Sequence, residues 1–245
     1  MIIYGLIGYP LGHSFSKEYF SKKFRKENIA GCIFENYPLA SINALQDLLM
    51  QTPSLKGFSV TIPYKEKIIP FLNEITPKAQ SAGSVNCVRI SDNKLLGFNT
   101  DVVGFEKSIR PLLTLKNNQA LVLGTGGASK SVQFVLNKLN IDFRIVSRNP
   151  LIFNHLSYSQ LDATIMTQYN IIINCTPVGM FPNVNDCPEI PYSLITSSHI
   201  LFDLVYNPDP SLFLKHGKSR GAVIKSGMEM LEIQAEESWK IWNQF

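Results

Sequence analysis

The chain has 245 residues, is 45% hydrophobic and 17% charged, and carries a formal net charge of +4. That length can bury a substantial core, which excludes disordered, collagen-like and small disulfide-scaffold classes. The basic residues are dispersed, so no nucleic-acid partner is expected, and no apolar run reaches the ~20 residues needed to span a bilayer.

The start, Met1-Ile2-Ile3-Tyr4-Gly5, lacks the basic stretch of a secretion signal. Cys32, Cys87, Cys175 and Cys187 have no C-x-x-C spacing. They read as buried, reduced thiols of a cytoplasmic protein, not as a metal site.

In chain order, Ile2–Gly8 reads as a strand ending at a Gly-Tyr-Pro turn. Ser14–Asn28 reads as a helix, with Phe15, Tyr19, Phe20 and Phe24 near helical spacing. Cys32–Leu39 is a second strand, Ile42–Met50 a second helix and Gly57–Thr61 a short β-prone run halted by Pro63. Lys65–Leu72 is predicted as a short helix. Ser84–Ile90 and Lys94–Phe98 flank Asp92-Asn93, a hairpin turn. Asp101–Leu115 is predicted helical, with Pro111 as a kink or stop.

After the polar turn Lys116-Asn117-Asn118-Gln119 a second alternation begins. Its predicted strands are Ala120–Leu123, Phe143–Ser147, Ile171–Cys175, Ile200–Tyr206 and Ala222–Lys225. Its helices are Gly127–Leu139 and a long terminal one, Met228–Trp242. Strands alternating with helices predict an α/β protein with parallel sheets. Two such series, broken near residues 101–119, predict two domains with a ligand cleft between them.

Leu121-Val122-Leu123-Gly124-Thr125-Gly126-Gly127-Ala128-Ser129 is a strand running into a glycine-rich turn and a helix. It fits the dinucleotide pattern G-x-G-x-x-[GA], except that Ser129 stands third. Gly124 allows the tight turn, Gly126 lets the backbone approach a pyrophosphate, and the helix start offers free N–H groups. The next strand ends in Ser147-Arg148-Asn149, where an NAD-selective site would place Asp or Glu. Arg148 can pair with a 2′-phosphate and stack on adenine, which points to NADP.

In the first half, Gly57–Thr61 leads to Lys65, a candidate electrostatic catalyst or proton donor. Gly83-Ser84-Val85-Asn86 and Gly97-Phe98-Asn99-Thr100-Asp101 place amides and an acid at successive strand ends, suited to a polyhydroxylated ligand. Ser14 and Ser16 open the first helix, where hydroxyl and N–H groups can hold a carboxylate. Gln234 lies on the last helix.

These residues resemble the shikimate dehydrogenase family over nearly the whole chain. The blocks that carry the resemblance are Ile7-Gly8-Tyr9-Pro10-Leu11-Gly12-His13-Ser14-Phe15-Ser16, Val60-Thr61-Ile62-Pro63-Tyr64-Lys65, and the Gly83, Gly97 and Gly124 segments above. They continue with Ile173-Asn174-Cys175-Thr176-Pro177-Val178-Gly179-Met180, Asp203-Leu204-Val205-Tyr206-Asn207-Pro208 and Gly227-Met228-Glu229-Met230-Leu231-Glu232-Ile233-Gln234-Ala235.

The resemblance implies reversible NADPH-dependent reduction of 3-dehydroshikimate to shikimate, towards aromatic amino acids. It implies a substrate-binding and catalytic domain over 1–101, joined by the helix 228–245, and a Rossmann-like NADP domain over 102–227. Lys65 and Asp101 would be the catalytic pair. Ser14, Ser16 and Tyr206 would bind the substrate carboxylate. Thr61, Asn86, Asn99, Asp101 and Gln234 would line the ring or bind its hydroxyls. Gly124, Thr125, Gly126, Gly127, Ala128 and Ser129, with Ser147, Arg148 and Asn149, would hold the cofactor. Thr176, Leu204 and Gly227 would border its ribose or nicotinamide.

The chain departs from the family pattern at Ser59, where Asn is usual, and at Ser147-Arg148-Asn149, where Asn-Arg-Thr is usual. Pro150-Leu151-Ile152-Phe153 also lacks the second Arg that some members carry, which implies a weaker grip on the 2′-phosphate. The alternatives are an NAD-using quinate/shikimate dehydrogenase and a non-catalytic NADP-binding regulator. The expected partners are the small-molecule substrate and a second copy in a homodimer, with neither nucleic acid nor membrane.

Overall fold

Two sheets, each flanked by helices, organise the computed structural model, which describes residues 1–11, 15–115, 117–150 and 155–244. Contacts divide the chain into one unit of residues 1–100 with 235–245 and a second of residues 101–234.

The first unit contains β1 (Ile2–Gly8), α1 (Phe15–Lys26), β2 (Cys32–Pro38), α2 (Leu45–Gln51), β3 (Leu55–Val60), β4 (Glu74–Ile75), α3 (Pro77–Ala82), β5 (Cys87–Ser91) and β6 (Lys94–Phe98). Its strand order is β2-β1-β3-β5-β6-β4. The sheet is mixed: parallel pairs flank β1, and the hairpin expected at Asp92-Asn93 sets β5 against β6. β1 runs parallel to β2 and β3, whereas β5 is antiparallel to both β3 and β6. The β5–β6 reversal is local: Asp92 and Asn93 both take positive φ, 49° and 59°. A two-residue turn of that kind reverses the chain at once, so no crossover helix intervenes.

Both faces of this sheet are covered at its centre, which is why β1 reads as a nearly continuous apolar run. Alternate residues of β1 serve opposite cores. Tyr4 and Leu6 pack with Phe20, Phe24, Phe34 and Trp242, while Ile7 packs with Phe58, Val60 and Leu45. Each such fully buried side chain contributes roughly 1.5–3 kcal/mol. The Trp242 indole N–H also donates to the Val88 carbonyl at 3.0 Å, fixing the chain's last turn of helix on this unit.

Lys65–Leu72 does not form the predicted α-helix; a 3₁₀ turn over Ile69–Phe71 replaces it. The Lys65 carbonyl accepts instead from Val85 N–H at 2.7 Å, and Ile69 N–H turns to Glu66. With the Ile69 N–H on Glu66, the i to i+4 bond that the Lys65 carbonyl would accept in an α-helix is not made.

The second unit contains α4 (Asp101–Ile109), β7 (Gln119–Leu123), α5 (Gly127–Lys138), β8 (Asp142–Val146), β9 (His155–Leu156), α6 (Ala163–Gln168), β10 (Ile171–Asn174), β11 (Ile200–Asp203), α7 (Leu212–Ser219), β12 (Val223–Lys225) and most of the first half of α8 (Met228–Trp242). All its strand pairs are parallel, in the order β12-β11-β10-β7-β8-β9. The chain winds outward in both directions from β7, so the switch point lies between β7 and β10. In open α/β sheets ligands bind there, beyond the carboxyl ends of the strands. Among the described residues no helix is long and apolar enough to cross a membrane.

Candidate active site

Backbone hydrogen bonds draw the first unit's strand ends together. Thr61 N–H donates to Ile7 (2.9 Å), Val60 N–H to Asn86 (2.8 Å), Asn86 N–H to Phe98 (3.1 Å) and Val85 N–H to Lys65 (2.7 Å). Thr61, Lys65, Asn86 and Asn99 therefore share one edge of this sheet. Lys65 is half-buried there, whereas Asn86 and Asn99 are buried. Ser16 is a buried residue of the first turn of α1. Ser14 lies outside the described residues.

The two amides are also structural. The Asn99 side chain donates to the Ser84 carbonyl and hydroxyl, each at 2.9 Å. Asn86 grips Thr100, donating to its hydroxyl at 2.9 Å and accepting from its N–H at 2.7 Å. Thr100 then meets the Ser238 hydroxyl at 3.0 Å. Ser84, Thr100 and Ser238 are not legible as site residues in the sequence, because only the fold shows that their hydroxyls anchor the predicted ones.

The second unit carries Asp101, buried at the start of α4, and the glycine turn between β7 and α5. Gly124 adopts φ +103°, a conformation that favours glycine, and its N–H donates to Val146 at the end of β8. A Cβ there would also lie 2.9 Å from Thr176 Cγ2, so Gly124 and Thr176 are neighbours. Gly126 caps α5 without a side-chain hydrogen bond, and a Cβ built on it meets nothing within 4 Å. Unpartnered N–H groups of the helix start and open space over Gly126 suit a pyrophosphate. Gly127 and Ala128 open the helix, while Ser129 is fully buried and accepts from Gln133 at 3.0 Å. Thr125 is exposed in the turn.

Ser147 follows β8, and its hydroxyl accepts from Asn149 N–H at 3.2 Å. Arg148 is exposed, and its charge pulls the Tyr158 phenol down against the burial that raises it. No acid stands where an NAD ribose would be held, so the donor set fits NADP. The Pro150–Phe153 stretch falls mostly outside the described residues.

Thr176 and Leu204 follow β10 and β11. A Cβ on Gly227 would sit 2.4 Å from the Leu204 carbonyl oxygen, so only glycine allows that approach. Tyr206 is half-buried beyond β11. Gln234 is buried on α8 and donates to Leu231 at 2.9 Å. Thus Thr61, Lys65, Asn86 and Asn99 gather on one sheet, and the turn, Thr176, Leu204 and Gly227 on the other.

Among the described residues no group of His, Cys, Asp or Glu is arranged to hold a metal. Of the four cysteines only Cys87 is buried; Cys32, Cys175 and Cys187 are half-buried, which corrects the expectation for those three.

The family model described as the shikimate dehydrogenase substrate binding domain matches residues 6–88. The shikimate dehydrogenase (NADP(+)) of Methanococcus vannielii is 35% identical over 265 residues, covering 100% of this chain and 92% of that relative. The chain belongs to the shikimate dehydrogenase family.

Solved structures of the family agree. Shikimate dehydrogenase 1 of Peptoclostridium difficile superposes with a TM-score of 0.87 at 34% identity, covering 99% of this chain and 91% of that one. The shikimate 5-dehydrogenase of Thermus thermophilus, in complex with NADP(H) and shikimate, gives 0.86 at 26% identity, with 99% and 94% covered. Family membership accounts for the two-sheet architecture and for the order of the motif blocks along the chain.

Proposed function

We propose that this protein catalyses the reversible NADP-dependent interconversion of 3-dehydroshikimate and shikimate. The observation that carries the reading is the division of chemistry in a chain of this family. One sheet edge bears Lys65 among buried amides and Thr61, and the other bears the open glycine turn with Arg148 at the end of the next strand.

NADPH, when bound, supplies the hydride that reduces the ketone. The turn Gly124 to Ala128 would hold its pyrophosphate, Gly124 by shaping the turn while its N–H stays on Val146, and Gly126, Gly127 and Ala128 through the backbone N–H groups of the helix start, with Ser129 packing the helix behind them. Ser147, Arg148 and Asn149 hold the 2′-phosphate end, and Thr176, Leu204 and Gly227 border the ribose and nicotinamide. As negative charge builds on the carbonyl oxygen, the Lys65 ammonium stabilises it and gives it a proton; in the reverse direction Lys65 takes that proton back. Asp101, the second member of the catalytic pair, holds a substrate hydroxyl that neighbours the reacting group. Ser14, Ser16 and Tyr206 bind the carboxylate, while Thr61, Asn86, Asn99 and Gln234 fix the ring.

A cytoplasmic setting goes with this reading, supported by four cysteines that form no disulfide. The assembly we favour is a homodimer, supported by the open edge that β2 leaves on its sheet.

The test follows reduced-nicotinamide absorbance with shikimate and NADP⁺, with quinate and NAD⁺ in parallel. Absorbance should grow fastest with shikimate and NADP⁺. Lys65→Ala should cut turnover by ~10²–10⁴-fold with little change in KM. No absorbance change with any pair would overturn the proposal.

A further inference from the structure

We infer that Asp203 is a positioning residue for the nicotinamide-side wall of the cofactor site, acting through Asn174 on Thr176 and through the local backbone on Leu204. The inference rests on the NADP reading above and adds residues to which that reading gives no role.

Asp203 ends β11 and is completely buried. One carboxylate oxygen accepts from the Asn174 amide at 2.9 Å and from Val205 N–H at 3.0 Å. The other accepts from the Ser211 hydroxyl. Three donors thus converge on one side chain. A carboxylate presents acceptors at both oxygens, so it satisfies all three; an amide would turn a donor towards one of them.

Asn174 ends β10, is equally buried and relays this order. Its carbonyl oxygen accepts from both Thr176 N–H at 3.0 Å and the Thr176 hydroxyl at 2.6 Å. Its main-chain carbonyl takes Leu204 N–H at 2.9 Å. Thr176 in turn abuts Gly124 of the dinucleotide turn, and Leu204 abuts Gly227. A single carboxylate therefore sits behind both loops assigned to the ribose and nicotinamide. Burial raises its pKa, at a cost that the three hydrogen bonds partly offset.

A purely structural role would centre on Ser211, whose hydroxyl caps α7 by accepting from Leu214 N–H. The experiment separates the two roles by measuring NADP⁺ binding to the purified full chain by calorimetry, beside shikimate binding and thermal unfolding. Asp203→Asn should raise the NADP⁺ Kd by about tenfold, the scale of one lost buried hydrogen bond, with shikimate affinity unchanged. Thr176→Val should raise the same Kd, and the double variant should be no worse than the weaker-binding single, because both cut one path. Ser211→Ala should lower the Tm while leaving the NADP⁺ Kd unchanged.

If Asp203→Asn does not fold, Asn174→Ala cuts the path one residue further on and must raise the Kd in its place. Wild-type binding with unaltered affinity in Asp203→Asn or Asn174→Ala overturns the positioning role alone, as do multiplicative effects in the double variant. Failure of the wild type to bind NADP⁺ overturns the cofactor reading and this inference with it.

Discussion

Asn86 clamps Thr100 at both of its polar groups, accepting from the main-chain N–H at 2.7 Å and donating to the hydroxyl at 2.9 Å. Both residues are buried, and Thr100 is the residue immediately before Asp101. Asn86 therefore fixes the backbone of the residue that precedes Asp101. Asn86→Ala takes the Asn86 acceptor from the buried Thr100 N–H and leaves the Thr100 hydroxyl its bond to Ser238, which should cost about 1–3 kcal/mol of stability. It should also lower kcat more than it raises the KM for shikimate, since the placement of Asp101 follows from Thr100. Thr100→Val keeps the main-chain bond and loses the hydroxyl, so its effects should be smaller. Denaturant unfolding with steady-state kinetics checks both. A rise in KM at unchanged stability would make Asn86 only a ligand for substrate hydroxyls.

Gly126 separates cofactor binding from folding. Its φ of −77° suits any residue, and the space around a new Cβ is open. Gly126→Val should leave the Tm within a degree or two, yet fill the space assigned to the pyrophosphate and weaken NADP⁺ binding by about tenfold or more. Gly124→Val is the contrast, since φ +103° and the Thr176 contact strain it in the folded protein itself. Calorimetric titration and a melting curve on each variant decide the matter.

Arg148 carries the case for the 2′-phosphate. Its guanidinium stands exposed beyond β8, with Ser147 and Asn149 on either side. Arg148→Gln should lose a charge-assisted pair, worth about 1.5–3 kcal/mol, and the ratio of kcat/KM for NADPH to that for NADH should fall by roughly tenfold or more. The loss should fall on NADPH, with NADH little affected. An unchanged ratio assigns phosphate recognition to other residues.

Much of this architecture is legible in the chain because its strands are apolar and short, and because its polar residues stand at strand ends. Ile171-Ile172-Ile173-Asn174 and Ile200-Leu201-Phe202-Asp203 show the pattern: three apolar residues, then one polar residue at the carboxyl edge. α3 also had its signals, since Thr76 caps it, Pro77 opens it and Gly83 stops it. Six residues are too few for a periodicity to stand out, so the caps alone do not make that helix legible. β4 and β9, two residues each, carry no pattern at all and exist only through their neighbours. The clamp of Asn86 on Thr100 and the relay from Asp203 to Thr176 are likewise illegible. Their partners are separated by 14 and 27 to 29 residues and meet only once the sheets form.

The Asp203 carboxyl gives stability a pH signature. Desolvation in the β11 end pushes its pKa up to about 6, and the Asp209 charge adds to the rise. Hydrogen bonds from Ser211, Val205 and Asn174 act the other way, and the Asp203 charge adds to the burial that raises the half-buried Tyr192 phenol. In the unfolded chain the same carboxyl titrates near 4. Between these values the folded protein holds a proton that the unfolded chain has released, so this group's contribution to stability falls as pH rises. It is fully present below about pH 4 and gone above the folded pKa, a difference on the order of 3 kcal/mol. Asp203→Asn cannot titrate and should lack this slope. The stability of wild type relative to Asp203→Asn, from urea unfolding at closely spaced pH values, should therefore decline from about pH 4 to about pH 7 and level off beyond. A flat difference across that window would place the Asp203 pKa in the ordinary carboxylate range, and a rising one would mean that its three hydrogen bonds outweigh burial.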